Sequence, residues 1–185
     1  MFRQAFLALA LALSVGICHG CAIPTSVNSA TLNLIKGAEG FVQSPAPDPI
    51  GLPTVGYGHL CKTKRCSEVP HPFPLTKSAA SSLLESDLKT FISCVYNDIH
   101  PSVKLNDNQF GALVAWAFNV GCGNVAKSDV VSRLNKGENP DVVASEELPK
   151  WNKARNGSVL RGLVTRRADE VKLFKTASRA IVHPC

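Results

Sequence analysis

The sequence predicts an α+β domain that is mainly α: a small early lobe carrying the sheet, a larger helical lobe after it, and one long helix joining the two. Three observations carry this. Apolar residues recur at helical spacing through most of the chain after residue 75. Two-residue alternation of bulky and small side chains occurs over 54–59. Between the first helical pattern and that strand lies Ser44-Pro45-Ala46-Pro47-Asp48-Pro49-Ile50-Gly51-Leu52-Pro53, a stretch of breakers. At 185 residues and 45% hydrophobic, the chain is sized for one domain with one substantial core.

Residues 1–20 read as a secretory leader and not as core. Arg3 precedes an apolar run from Phe6 to Ile17, followed by Cys18, His19 and Gly20. The run is well short of the roughly 20 residues a membrane-spanning helix needs, so removal after Gly20 or Ala22 is expected, with a retained anchor as the alternative. The mature domain is then 21–185, divided into a small lobe at about 24–75, a bridging helix at about 76–97 and a helical lobe at about 98–185.

Ser26 or Ser29 can cap a first helix in which Thr31, Leu34, Ile35 and Ala38 recur, ending near Gly40, so that Glu39 sits on its last turn. The four prolines and the glycine over 44–53 stop helix and central strand alike, leaving a loop or an irregular hairpin. A strand is expected over 54–59, with Val55 and Tyr57 on one face. Thr54, Gly56 and Gly58 leave the other face bare, where a bulky ligand can lie against backbone. Leu83, Leu84, Leu88, Phe91 and Val95 form the apolar stripe of the longest helix, over 76–97. Residues 106–120 are apolar nearly all round, with Phe110, Leu113, Val114, Trp116 and Phe118, and should be the buried centre of the helical lobe. Shorter helices over 128–134 and 140–153, a loop at Gly157 and a closing helix over 165–180 complete the chain.

The chain has seven cysteines, and losing Cys18 with the leader leaves Cys21, Cys61, Cys66, Cys94, Cys122 and Cys185, an even set that suits three disulfides in an oxidising compartment. Cys61 with Cys66 and Cys21 with Cys185 are candidate pairs, and sequence does not choose among the connectivities. A zinc reading of His59, His71, Cys61 and Cys66 fails on spacing, so no metal and no cofactor are expected. The net charge of +6, or +5 once Arg3 has gone, suits an anionic partner such as a bacterial wall, and equally nucleic acid. The sequence has no Lys/Arg run with interleaved aromatics, which argues against nucleic acid. Asn156-Gly157-Ser158 matches the acceptor pattern for N-linked sugar, meaningful where the source glycosylates.

Cleaving a glycosidic bond needs one carboxyl group protonated beside the leaving oxygen and a second, ionised one to activate water or attack the sugar. Glu39 lies beside Phe41 at the apolar end of its helix, and Asp48 lies in a loop open to water, the division of surroundings that the two roles require. Spacing alone does not establish the pair, because solvated surface carboxylates are the commoner reading.

The order Glu39, Asp48, Thr54, leading into Thr54-Val55-Gly56-Tyr57-Gly58-His59, resembles the catalytic segment of the phage-type lysozymes, the endolysins of glycoside hydrolase family 24. Leu34-Ile35-Lys36-Gly37-Ala38-Glu39-Gly40-Phe41 matches around it. Gln109-Phe110-Gly111-Ala112-Leu113-Val114, Phe118-Asn119-Val120-Gly121, Leu134-Asn135-Lys136-Gly137, Trp151 and Gly162-Leu163-Val164-Thr165-Arg166-Arg167-Ala168-Asp169-Glu170 resemble later blocks. The likeness therefore runs in order over nearly the whole mature chain.

That resemblance implies a lysozyme-like fold and a glycoside hydrolase in which Glu39 is the general acid, Asp48 the base or nucleophile-like carboxylate, and Thr54 the hydroxyl that holds the attacking water. It implies a sugar site at Gly56, Gly58 and Asn119. It pairs Arg167, with Arg166 as the alternative, with Glu39 across the cleft, and His59 with Asp87 on the bridging helix in a structural role. Each has a plainer reading: Thr54 a β-branched strand residue, Gly56 and Gly58 turn glycines, Asn119 a helix cap, the arginines a solvated basic face, and Trp116 and Trp151 core. The implied reaction is hydrolysis of the β-1,4 bond between N-acetylmuramic acid and N-acetylglucosamine in peptidoglycan. The implied enzyme is a secreted monomer, free of the membrane once its leader is removed, with bacterial peptidoglycan as partner and no nucleic acid. The competing expectations are a noncatalytic peptidoglycan- or chitin-binding module and a membrane-anchored phage endolysin. Leader, six cysteines and four prolines around Asp48 suggest a secreted, fungal-like branch of the family.

Overall fold

The computed structural model describes residues 23–47 and 53–184. Cys21, Cys185, Asp48 and the expected leader lie outside the described residues.

Asn28, in place of Ser26 or Ser29, caps α1 (Ser29–Glu39): its Oδ1 accepts from the Thr31 N–H at 2.9 Å. Its Nδ2 donates to Asp107 Oδ2 at 3.0 Å and to Asn108 Oδ1 at 2.8 Å. The amide thus satisfies an orphan helix N–H and ties the start of α1 to the start of the later central helix, a double duty a serine hydroxyl cannot perform.

β1 (Val42–Pro47) pairs antiparallel with β2 (Pro53–Gly56), Ala46 opposite Thr54, with an irregularity between Val42 and Ala46. In the sheet order β1-β2-β3 it is an edge strand, where a missing proline N–H costs no ladder bond. The single strand expected over 54–59 is two strands: β2 stops at Gly56, Tyr57 and Gly58 turn, and β3 (His59–Leu60) returns with His59 opposite Val55.

α2 (Lys77–Asp98) is capped by the Thr76 side chain, which accepts from the Ala79 N–H. Its Ala80 and Leu83 join Val55, Leu75 and Val69 in a small core under the sheet, while Leu84, Leu88, Ile92 and Val95 belong to the large core of the helical lobe. One helix therefore spans both cores, as the long stripe predicts.

β4 (Leu105–Asn106) leads into α3 (Asp107–Val120), which opens on a capping box between Asn106 and Gln109. Every residue from Phe110 to Ala117 is buried, so α3 is the centre of the helical lobe. Around it stand α4 (Cys122–Val125), α5 (Asp129–Asn135), α6 (Pro140–Glu147) and α7 (Arg161–Phe174). The helix expected over 140–153 leaves α geometry at Glu147 and tightens into a 3-10 turn, Leu148–Lys150, because Pro149 has no N–H to continue the ladder. The closing helix starts earlier and ends sooner than 165–180. The chain beyond it forms β5 (Ile181–His183), paired antiparallel with β4. Tertiary bonds override local helix preference there: the Asp107 N–H donates to the Ala180 carbonyl at 2.8 Å, and buried His183 has Nδ1 2.8 Å from the Val103 carbonyl.

Two disulfides lie among the described residues. Cys61–Cys66 closes a loop of the small lobe, and Cys94–Cys122 fastens α2 to the start of α4. No helix among the described residues is long and apolar enough to cross a membrane.

Candidate active site

Glu39 is the last residue of α1, and its Oε1 accepts a 2.6 Å hydrogen bond from Arg166 Nη1 on α7. The carboxyl is 22% exposed and the guanidinium 8%, so the pair sits at the edge of solvent with its cation sunk beneath. On the other side is Gly58, at φ +84°. A Cβ built on it would stand 2.9 Å from Glu39 Oε2, so this position requires glycine for both its left-handed backbone and its closeness to the carboxyl. Strand turn and helix end thus meet at one carboxyl group.

The partner expected for Glu39, Arg167, is corrected to Arg166. Adjacent residues on a helix point about 100° apart. Arg166 faces α1, while Arg167 reaches Asn119 Oδ1 at 2.9 Å with Nη2 and shares the buried Glu170. Neither is the solvated basic charge of the plainer reading, Arg167 being 1% exposed. Glu170 Oε1 accepts from Arg166 Nε at 3.3 Å and Arg167 Nη2 at 2.8 Å, so Glu39, Arg166, Glu170, Arg167 and Asn119 form one chain of contacts. Burial pushes the Glu170 carboxyl up to about 7 against the opposing pull of Arg167 and Arg166, and burial holds the Arg167 guanidinium below its usual range.

Asn119 lies exposed on the last turn of α3, held by Arg167; it is not the cap, which is Gly121 at φ +84°. Thr54 is half-buried in the central strand, opposite Ala46 and Leu60. Asp48 belongs to the connection between Pro47 and Pro53, which pair with each other, and lies outside the described residues.

Gly56 does not face a ligand. A Cβ there would touch Ala80, Leu83 and Leu75 at 3.5 to 3.7 Å, so its bare face is pressed on the small core under α2. Alternation in a strand identifies two faces without saying which is buried, and here the second glycine has left the strand for the turn.

His59 Nδ1 lies 2.8 Å from Asp87 Oδ2 on α2, and Nε2 lies 3.6 Å from Glu68. The hydrogen bond to Asp87 raises the imidazole pKa, with burial opposing it. This contact pins β3 to the bridging helix. His59, Cys61 and Glu68 place potential metal-binding atoms within 4.8 Å of one another, but the Cys61 sulfur is bonded to Cys66 and is no thiolate. Trp116 is fully buried and packs edge to face on Trp151, both in or against the large core as expected.

Sequence reasoning passes over Glu170 as a hub. The signal was present: Leu163, Arg166, Glu170 and Leu173 recur at helical spacing, which places two charges among core residues.

The phage lysozyme family model matches residues 36–170. The endolysin of Bacillus phage PZA is 36% identical over 155 residues, 82% of this chain and 56% of that protein. The endolysin of Bacillus phage B103 is 34% identical over 154 residues, 82% of this chain and 54% of its own length. The chain thus spans just over half the length of these two relatives. Among solved structures, the muramidase domain of SpmX from Asticaccaulis excentricus matches with a TM-score of 0.70 and 34% identity, covering 82% of this chain and 98% of that one. The matched segment runs from α1 through Arg166 to Glu170, well over half of the sequence, and the chain belongs to the phage lysozyme family.

Proposed function

We propose that the protein is a secreted muramidase that hydrolyses the β-1,4 bond between N-acetylmuramic acid and N-acetylglucosamine in bacterial peptidoglycan, working as a monomer without metal or cofactor. The observation that carries the reading is the setting of Glu39. A carboxylic acid accepts a hydrogen bond through one oxygen while donating from the other. Arg166 occupies Oε1, which leaves Oε2, beside side-chain-free Gly58, to deliver a proton to the glycosidic oxygen. Asp48 supplies the second carboxylate and Thr54 holds the water, by likeness to the family's catalytic segment. Gly58 and Asn119, the latter steadied by Arg167, line the sugar site, and Gly56 has no part in it.

Export through a leader at residues 1–20 is part of the same reading. Two disulfides among the described residues suit an oxidising compartment, and a basic net charge draws the protein to an anionic wall.

The test is clearing of a suspension of Gram-positive cell walls by the purified mature protein beside Glu39→Gln, with reducing ends counted. Clearing and new reducing ends from the native protein, and neither from a folded Glu39→Gln, are the expected result. A native protein that pellets with walls and releases no reducing ends would be a noncatalytic binder, and the proposal would fall.

A further inference from the structure

We propose that Asn156 is an N-glycosylation site, carrying an oligosaccharide on the turn that leads into α7; the proposal rests on the export reading above. The Asn156-Gly157-Ser158 triplet stands at the tip of a small hairpin, closed by the antiparallel bridge between Lys153 and Val159. The Ala154 N–H donates to the Ser158 carbonyl at 2.8 Å and the Gly157 N–H to the Ala154 carbonyl at 2.9 Å. Both Asn156 and Ser158 are exposed, so a large polar group on either meets water and not the core.

The chemistry of the side chains is already arranged. Asn156 Oδ1 accepts twice, from the Ser158 N–H at 3.1 Å and from the Ser158 hydroxyl at 2.7 Å, while no hydrogen bond among the described residues engages Nδ2. Two donors on Oδ1 draw electron density away from the amide nitrogen and make its N–H more acidic, so that Nδ2 becomes a nucleophile as a base takes its proton. With a polyprenyl-diphosphate oligosaccharide as donor, the bond from Nδ2 to the anomeric carbon forms, the carbon–oxygen bond to the diphosphate breaks, the amide proton passes to a base, and polyprenyl diphosphate leaves. The contacts that make the turn all lie within residues 153–159, so they need no distant partner and can be sampled early in folding.

The neighbourhood gives the sugar something to cover. Val159, Leu160 and Val164 are 59%, 44% and 43% exposed, and lie at the base of this hairpin and on the first turn of α7. A glycan here shields this apolar surface from water.

The experiment expresses the full chain, with its own residues 1–20, in a secreting yeast, and compares it with Asn156→Gln, Ser158→Ala and Ser158→Thr. The expected result is wild type in the medium with a mass raised by an oligosaccharide and collapsed by an amidase that releases N-linked glycans. Ser158→Thr should be glycosylated as well, and Asn156→Gln and Ser158→Ala should run at polypeptide mass. Wild type secreted at polypeptide mass would overturn the glycan and leave export standing. Wild type retained inside the cells at polypeptide mass would overturn both.

Discussion

Arg166 places three nitrogens on three groups: Nη1 on Glu39, Nε on Glu170 and Nη2 on the Ala115 carbonyl at 3.4 Å. Removing it strips Glu39 of its partner and leaves the buried Glu170 with Arg167 alone. Arg166→Ala should cost about 3–5 kcal/mol in urea unfolding and lower wall clearing per folded molecule by at least about tenfold, from the usual penalty of a broken buried pair and a misplaced acid. Arg167→Ala should lose comparable stability but far less clearing per folded molecule, because Glu39 keeps its own partner. Equal losses of activity in the two variants would contradict the assignment. Gly58→Ala tests the other side of the carboxyl. A left-handed alanine costs roughly 1–3 kcal/mol, and its Cβ meets Glu39, so activity should fall more steeply than stability, read by clearing and thermal unfolding on the same preparation. The likeness to the family's sequence blocks singled out Glu39 and Gly58 and implied the His59–Asp87 contact, which His59 Nδ1 makes at 2.8 Å. It left the choice between Arg166 and Arg167 open, since one residue along a helix is about 100° of rotation and nothing local sets how α7 is rolled against α1.

The elements were legible where burial runs along one face and obscure where partners come from afar. α2 and α3 declare themselves by long apolar stripes, and Pro149 explains the early end of α6. The β4–β5 pair was not legible, because strands of two and three residues have no period of their own and exist through bonds such as that from Asp107 to Ala180. The hairpin at Tyr57 and Gly58 was hidden for a related reason: alternation with glycine reads alike in a strand and in a turn. Among the cross-links, Cys94–Cys122 spans a sequence separation of 28 and Cys61–Cys66 one of 5. Loop-closure entropy scales with the logarithm of loop length, so replacing the first pair by alanines should cost about 3–4 kcal/mol and the second about 2 kcal/mol in urea unfolding. The larger loss should also uncouple α2 from α4, and the smaller should stay within the small lobe. A greater loss from the Cys61–Cys66 variant would mean that the short loop does more than close on itself, for instance by seating His59.

Over the whole molecule, opposing titrations set a stability maximum on the acid side of neutrality. Glu138 and Glu147 are held below the usual carboxylate range, chiefly by hydrogen bonds from Arg133 and Lys150 respectively. Their contribution is complete above the ordinary carboxylate value of 4.5 and is lost as pH falls through their lowered folded values. Glu170 and His59 work in the other direction. The folded Glu170 holds its proton up to about 7, against 4.5 when unfolded, so the folded state binds more protons between those values and loses stability as pH rises across them. His59, raised above 6.5 by Asp87, contributes fully below 6.5 and loses its contribution as pH rises through its folded value. Urea midpoints should therefore peak near about pH 5, between these two sets of titrations. Glu170→Gln, which can still accept from both arginines but never ionises, should flatten the fall between pH 5 and 8 by up to about 3 kcal/mol, the worth of a shift of that size at 1.36 kcal/mol per pH unit. His59→Asn should remove its share at the upper end of that range, and neither substitution should alter the acid limb. If Glu170→Gln instead steepens the alkaline fall, Glu170 is ionised throughout and its charge, shared by Arg166 and Arg167, is what holds α7 against α1 and α3.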